Sequence, residues 1–148
     1  MSSNSNTYSN DLAWAAGFVD GEGCITIARQ RFKGRNNISH RLKFSIAQNN
    51  FKVLKKVELI LNESCFISEI RRTGAMNRDA YVLVYDSGHA LRALEKLEPY
   101  LQRKQHEARA VREMWIDGKM GKRPGPKGWP EEIYKIREKW ARKISRLK

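Results

Sequence analysis

Apolar and polar residues alternate in two stretches of the N-terminal half of the chain. Over 24–32 and again over 39–48 the hydrophobic positions recur with a period of two, which predicts two strands joined by a turn. In the second strand Leu42, Phe44 and Ile46 share one face, while basic or small residues occupy the other. The pattern therefore predicts a hairpin with one face on a core and the other face basic.

A helical period follows, and after it the chain returns to short stretches that fit strands. Residues 51–62 carry an apolar stripe at spacings of three and four, with Asn49 or Asn50 as the N-cap. Two more strands fit 64–72 and 80–86, and the register of the first of them is ambiguous. A helix and a second hairpin are thus expected after the first hairpin.

Two further helices complete this part of the chain. Ser87 is suited to cap a helix that runs to about Leu97, Pro99 punctuates it, and a longer helix is predicted over 101–117. The order is then helix, hairpin, helix, hairpin, helix, helix. We expect an α/β (α+β) fold in which helices cover one face of a four-stranded antiparallel sheet.

The composition changes after this region. Gly118 to Pro130 is rich in Gly, Pro and Lys, which indicates a linker or an irregular loop. An amphipathic final helix follows, with this apolar stripe: Ile133, Ile136, Trp140, Ile144 and Leu147. We predict a core domain over 1–118, then a connector and a basic C-terminal helix over 119–148 that packs on or beside it. The basic face of that helix suits phosphates or solvent equally.

The net charge of the chain limits the classes of partner that it is expected to bind. Its 29 Lys and Arg against 16 Asp and Glu give a net charge of +13 and a pI near 10.0. Binding to a polyanion, attraction to a membrane surface and general solubility would each account for such an excess. The distribution favours nucleic acid, because 1–28 hold no Lys or Arg, whereas 23–57 hold nine and no acid.

Other sequence features argue against a secreted or membrane protein. No apolar run is long enough to span a bilayer, and the first residues lack the features of a secretion signal. Cys24 and Cys65 have no paired metal spacing, so both are expected to be buried or packing thiols in a reducing compartment. We expect an intracellular protein, in a bacterial cytoplasm or an organelle, and read the three histidines as incidental: His40, His89 and His106.

The uncharged run over 12–19 ends in two acids, Asp20 and Glu22, that are framed by glycines. Unsatisfied carbonyls at the C-terminus of a helix repel carboxylates, so two acids there call for a nearby cation such as Mg²⁺. The alternative is a plain turn, in which the glycines adopt positive φ and the acids are solvated.

Small residues weaken the interpretation as a plain turn. The helix carries Ala13, Ala16 and Gly17. Side chains of this size let a second backbone approach closely, which an isolated surface helix does not require. Residues 1–9, rich in Ser and Asn, are expected to form a loose arm before this helix, with Ser9 or Asn10 as its N-cap.

Ala15 to Gly23 resembles the signature of the LAGLIDADG homing endonucleases, with matches at the Ala, the first Gly, both acids and the closing Gly. The chain has Ala15 where the family usually has Leu, and Glu22 where Asp is commoner. The resemblance covers roughly 9–118 and implies the αββαββα core of the family, with a curved sheet.

The resemblance implies a site-specific double-strand DNA endonuclease of the single-motif type. The other acidic stretch, Trp115 to Lys119, has Lys where the second acid should be and is taken as coincidence. Single-motif members pair as homodimers through their motif helices and cut long, partly palindromic sites. The residues expected at that contact are Leu12, Ala13, Ala16 and Gly17. The rival functions are an RNA-binding intron maturase and a DNA-binding regulator that does not cleave.

The resemblance also assigns the chemistry. Glu22 would bind metal directly with the carbonyl of Gly21, while Asp20 is either a ligand or a scaffold. Mg²⁺ or Mn²⁺ would support phosphodiester hydrolysis, and Ca²⁺ is expected to bind without supporting efficient cleavage. Gln48 aligns with the polar residue that orders water, and Lys104 with the lysine near the scissile phosphate.

Residues on the outer strand faces are the predicted DNA contacts. They are Thr26, Ala28, Gln30, Arg41, Lys43 and Ser45, with Lys52 on the next helix and either Arg71 or Arg72. Arg41 to guanine and Gln30 to adenine are the sharpest of these predictions, because those pairings match base edges in the major groove.

Overall fold

The computed structural model describes residues 2–70 and 80–148. The elements are α1 (Ser2–Glu22), β1 (Gly23–Gln30), β2 (Ser39–Gln48), α2 (Phe51–Leu61), β3 (Phe66–Ile70), β4 (Ala80–Asp86), α3 (Ser87–Leu97), a 3₁₀ turn (Glu98–Tyr100), α4 (Gln105–Asp117) and α5 (Glu131–Arg146). The fold is the predicted α/β arrangement, and no helix among these elements is long and apolar enough to cross a membrane.

The four strands form one antiparallel sheet in the order β1-β2-β4-β3. Ile25, Phe44 and Tyr85 are directly opposite one another on neighbouring strands, and all three are fully buried. The helices pack on this face of the sheet, so the alternate residues of each strand point away from the core. The predicted bounds of β2 and β4 are confirmed.

The junction between α1 and β1 requires a glycine. A Cβ atom at Gly23 would lie 2.8 Å from the carbonyl oxygen of Val19 and 2.9 Å from its Cγ1. No real Cβ tolerates such distances, so only glycine lets the chain leave the helix and enter the sheet within one residue. The closing glycine of the acidic motif therefore has a steric role.

Three predictions about helix starts are wrong. The arm expected over 1–9 is helical, because α1 begins at Ser2, and neither Ser9 nor Asn10 is its N-cap. Adding turns to an existing helix costs far less than nucleating one, which explains why polar residues join it. Asn50 does cap α2, and its side chain accepts a hydrogen bond from the Val53 amide at 3.3 Å.

The other two corrections concern the second half of the core. Asp86, not Ser87, occupies the N-cap position of α3, and Ser87 has a left-handed φ of 52° at the corner between strand and helix. The helix expected from residue 101 begins only at Gln105. The backbone N–H groups of Gln102 and Lys104 bond to the carboxylate of Asp20 instead of to a preceding helical turn.

Helix α5 packs on α4, β1 and β2. The buried guanidinium of Arg137 donates to the carbonyls of Gly118 and Lys119 at 2.6 and 2.7 Å, and it lies 3.6 Å from the ring centroid of Trp129. Burial lowers the pKa of Arg137 to about 10. These bonds satisfy carbonyls beyond the end of α4 and fix the connector. The division of the chain after residue 118 stays a prediction.

The connector is also tied to the turn between β1 and β2. Asn37 donates to the carbonyl of Trp129 at 2.9 Å and accepts from the Trp129 amide at 3.2 Å, while the Asn36 amide donates to the carbonyl of Lys127 at 2.9 Å. Of the two predictions for this region, a linker or an irregular loop, the structure has the loop, and it is ordered and held against the hairpin.

Glu138 fastens α5 to the hairpin. It accepts hydrogen bonds from Arg29 at 2.9 and 3.1 Å, and it contacts Nε2 of the buried His40 at 2.9 Å and Nε of Arg142 at 3.1 Å. Because a carboxylate only accepts, Nε2 of His40 carries a proton and its buried Nδ1 is left without a partner among the described residues. His40, which was expected to be incidental, therefore has a structural role, since it joins β2 to α5.

Glu138→Gln should destabilise the fold in a pH-dependent way. The hydrogen bonds from Arg29, then those from His40 and Arg142, lower the pKa of Glu138 from 4.5 to about 2. A carboxylate with a lowered pKa stabilises the fold above pH 4.5 and loses that contribution as the pH falls toward 2. We expect Glu138→Gln to cost ~1–2 kcal/mol at neutral pH, because part of the cluster is solvent-screened.

Urea unfolding between pH 7 and acid measures this effect, with the exposed Glu113→Gln as the matched control. The variant should lose stability less steeply in acid than the wild type. Equal unfolding free energies for the variant and the wild type at neutral pH would contradict the role of Glu138.

Candidate active site and nucleic-acid interface

The two acids of the motif have different surroundings. Asp20 is half-buried, and its carboxylate accepts hydrogen bonds from the backbone amides of Gln102 at 2.8 Å and Lys104 at 2.9 Å. Glu22, the last residue of α1, is exposed and has no hydrogen bond or ion pair with any described residue. The structure thus uses Asp20 to hold the chain and leaves Glu22 free.

Lys104 lies beside the end of the motif helix. Its side chain is largely buried, and Nζ donates to the carbonyl oxygen of Asp20 at 3.2 Å. An ammonium group there offsets the partial negative charge of the unsatisfied carbonyls at the C-terminus of α1. The ammonium group therefore lies beside Asp20, which precedes Glu22 by two residues in the chain.

The other predicted residues of the chemistry lie at the same end of the sheet. Gly21 is exposed, and a Cβ atom there would meet nothing within 4 Å. Gln48 is the last residue of β2, two residues beyond Ile46, which pairs with Gly23. Its Oε1 accepts a hydrogen bond from the Asn49 amide at 2.9 Å. Lys52 follows in the first turn of α2 and is exposed.

No group of three His, Cys, Asp or Glu side chains that could hold a metal ion occurs within 2–70 and 80–148. At the end of α1 one chain presents a single unpaired carboxylate, that of Glu22, next to the exposed Gly21. These are hard oxygen donors of the kind that Mg²⁺ and Ca²⁺ prefer, but they are fewer than either ion requires. The residues present therefore fit part of a divalent-metal site.

The predicted base contacts share one face of the sheet, the face opposite the core. Cross-strand pairing places Thr26 beside Lys43, Ala28 beside Arg41, and Cys24 beside Ser45. Gln30 lies at the far end of β1, opposite Ser39. Arg41, Lys43 and Gln30 are exposed, and their side chains make no ion pair with the described residues. Arg71 and Arg72 lie outside the described residues.

Two features of this face were missed from the sequence. Cys24 is exposed on the edge strand rather than buried, with its Sγ 3.2 Å from Oγ1 of Thr26. Lys148, beyond the end of α5, reaches the same place, where Nζ lies 3.5 Å from Oγ1 of Thr26. The apolar stripe of α5 indicated that the helix packs on the body, but not that its end reaches the outer face of β1.

The residues predicted for a dimer contact divide into two pairs. Leu12 and Ala16 are buried within one chain, so they belong to its own core. Ala13 and Gly17 are exposed on α1, and a Cβ atom at Gly17 would meet nothing within 4 Å. A contact between the α1 helices of two copies would therefore be made through the side that carries Ala13 and Gly17.

These features define a class of protein: an αββαββα scaffold whose first helix carries an acidic motif to one end of an antiparallel sheet. A family model of the LAGLIDADG endonucleases matches residues 15–108, and the chain belongs to that family.

Solved structures of homing endonucleases share the fold. I-CvuI, in complex with the I-CreI target in 2 mM Mg, is 24% identical with a TM-score of 0.72, and the match covers 96% of this chain and 84% of that chain. I-CvuI has also been solved with its own target in 2 mM Ca.

More distant structures match as well. The archaeal intron-encoded I-Vdi141I, complexed with DNA, is 18% identical with a TM-score of 0.70 over 95% of this chain and 85% of that one. The meganuclease I-SmaMI, bound to uncleaveable DNA, is 14% identical with a TM-score of 0.60 over 92% of this chain and 42% of that one. No curated protein sequence matches the chain.

Asp20→Ala should loosen the junction between α1 and α4. The change leaves the amides of Gln102 and Lys104 without their acceptor, and an unsatisfied, partly buried donor costs about 1–3 kcal/mol. We expect a lower free energy of unfolding and faster hydrogen exchange at these two amides. Asp20→Asn, which keeps one acceptor oxygen, should have a smaller effect.

Asp11→Ala on the same helix is the control, since Asp11 has no hydrogen bond to a described residue. It should leave the exchange of both amides unchanged. Equal exchange in the wild type and Asp20→Ala would refute the anchoring role.

Proposed function

We propose that this chain is a site-specific double-strand DNA endonuclease that works as a homodimer with divalent metal ions. The observation that carries the proposal is the exposed, unpaired carboxylate of Glu22 at the end of the motif helix, beside Lys104 and a basic sheet face. Membership of an endonuclease family and the DNA complexes of structurally similar homing endonucleases support it.

Binding comes from the outer face of the sheet. A two-stranded ribbon fits the major groove of duplex DNA, and Arg41 and Lys43 of β2 project from that ribbon. Contacts of Lys and Arg with phosphates release counterions and supply most of the affinity, while contacts with base edges supply specificity. Arg41 and Gln30 are our proposed readers of guanine and adenine.

Glu22 and the carbonyl of Gly21 are the proposed metal-binding groups of each chain. A divalent ion bound there would supply Lewis acidity toward the scissile phosphate. Mg²⁺ or Mn²⁺ would support cleavage, whereas Ca²⁺ would bind without supporting efficient cleavage. Because one chain holds too few ligands, the site is completed by the second copy.

The remaining polar residues of the site position other groups or neutralise charge. The ammonium of Lys104 is held by the Asp20 carbonyl, where it can stabilise the charge that develops on the phosphate. The amide of Gln48 can hold a water molecule by hydrogen bonds at the end of β2. Asp20 keeps both Lys104 and the end of the helix in place, and we assign it as scaffold rather than ligand.

Glu22→Gln should abolish cleavage and leave DNA binding intact. The amide keeps the size of the side chain but cannot offer a carboxylate to a cation, and metal-supported stabilisation of a transition state amounts to several kcal/mol. We expect cleavage in Mg²⁺ to fall by on the order of 10³-fold. Cleaved products from a randomised duplex pool, and retention of the same pool in Ca²⁺, are the measurements.

The exposed Glu95→Gln on α3 serves as the matched control and should cut like the wild type. Chelation of metal should stop cleavage by the wild type and should leave the residual cleavage by Glu22→Gln no higher than before. Undiminished cutting by Glu22→Gln would reject the assignment of Glu22.

Gly17→Arg should convert a homodimer to monomers. Within one chain Gly17 is exposed and a Cβ atom there meets nothing within 4 Å, so we expect the monomer to tolerate the change. Across a two-fold axis the two arginines would meet, because an isologous interface opposes the same surface of both copies. Light scattering should give twice the chain mass for the wild type and the chain mass for the variant.

Leu59→Arg, at an exposed position of α2, is the control and should stay dimeric. Both variants should keep the circular dichroism of the wild type. A wild type that is monomeric at the concentration where it cuts DNA would contradict the shared site.

A further inference from the structure

The outer face of the sheet is divided into a charged half and an apolar half. The charged half lies toward the turn between β1 and β2 and contains Thr26, Lys43, Asp86, Ala28 and Arg41. The other half is made of two rows across the strands: Cys24, Ser45, Val84 and Phe66 in one, and Ala47, Val82 and Ser68 in the next. No residue of these two rows carries a charge.

The apolar half is open to solvent. Phe66 is 56% exposed and Ile70, on the same side of β3, is 41% exposed, while Val82 and Val84 are half-buried. The helices cover the opposite face of the sheet, so no described element packs on these side chains. Exposed apolar side chains grouped in this way mark a place where a partner binds.

The position of the apolar half limits what that partner is. Its two rows lie beside Gly23 and Ile46, at the end of the sheet where α1 delivers Glu22. The face continues without interruption into Arg41 and Lys43, whose charges complement a polyanion. One ligand that lies along the whole face must therefore be negatively charged at its backbone and carry apolar groups between its charges.

Duplex DNA in its major groove has this chemistry. The thymine C5-methyl is the apolar group that base pairs present there, and it is read by apolar side chains rather than by hydrogen bonds. We propose that Phe66, Val82 and Val84 contact thymine methyl groups in the part of each half-site nearest the cleaved bonds. The proposal rests on the proposed DNA-binding function and adds a substrate preference. A·T pairs are preferred at the inner positions of each half-site, while polar side chains read the bases at the outer positions.

The test removes only the methyl group. Two randomised duplex pools are prepared, one with thymine and one with uracil throughout, and each is selected for retention by the full-length wild type in Ca²⁺. In the thymine pool we expect enrichment of A·T pairs at inner positions. In the uracil pool that enrichment should disappear, while preferences at outer positions stay.

A duplex chosen from the thymine pool then allows single replacements. Uracil at one inner position should weaken binding about fourfold, the factor that corresponds to one buried methyl group. Uracil at outer positions should change nothing. Phe66→Ala and Val84→Ala should each bind the thymine and uracil duplexes equally at the position that the side chain reads.

Leu59→Ala is the control, since Leu59 is an exposed apolar residue of α2, away from this face. It should keep the preference for thymine. Equal binding of both pools by the wild type overturns the methyl contacts and leaves the proposed function standing. No retention of either pool overturns the proposed function itself. Self-association that is lost in Phe66→Ala, together with binding insensitive to the methyl group, would assign the apolar half to protein contact and overturn the proposal.

Discussion

The carboxylate of Asp20 is the contact on which the arrangement of the site depends. It accepts two backbone hydrogen bonds from a segment more than eighty residues away, and so joins the end of α1 to the start of α4. The same junction buries Lys104 against the carbonyl of Asp20. Two donors and an ammonium group thereby compensate an acid at the C-terminus of a helix, where it would otherwise be repelled. Glu22, two residues further along α1, has no such partner, so its carboxylate stays available to bind a cation.

The C-terminal part of the chain supports the other half of the sheet in a similar way. Glu138 binds Arg29 and His40 of the hairpin, and Asn37 binds the connector through Trp129. β1 is an edge strand, and a basic edge hairpin alone would be the least constrained part of the sheet. These contacts hold it in one conformation, which reduces the ordering that binding to a rigid partner would require.

The parts of the fold that could be predicted from the sequence are those governed by local pattern. β2 alternates cleanly, so its bounds and its buried face follow from the period of two. The start of α4 could not be predicted, because Leu101 to Lys104 suits a helix locally and only the distant carboxylate of Asp20 changes its bonding. Contacts of Glu138 with the hairpin were hidden for the same reason.

At the site, the residue types could be predicted but not their division of work. The motif showed two acids, and the question whether Asp20 is ligand or scaffold depends on its neighbours in space. The small residues of α1 likewise suggested a contact surface, yet Leu12 and Ala16 are buried in the chain's own core and only Ala13 and Gly17 face outward. Burial within one chain cannot be read from residue size.

The distribution of charge gives these pieces a common physical sense. Phosphates attract the basic outer half of the sheet face and repel the acids at its inner end, so the protein alone would bind DNA well at the hairpin and poorly at the centre. Two features of the centre meet this difficulty in the proposed complex. The inner rows of the face are uncharged and largely apolar, so they would engage base edges without adding repulsion. A cation held by Glu22 would neutralise the remaining carboxylate at the place where phosphate must approach most closely, so metal binding would favour that close approach in the wild type.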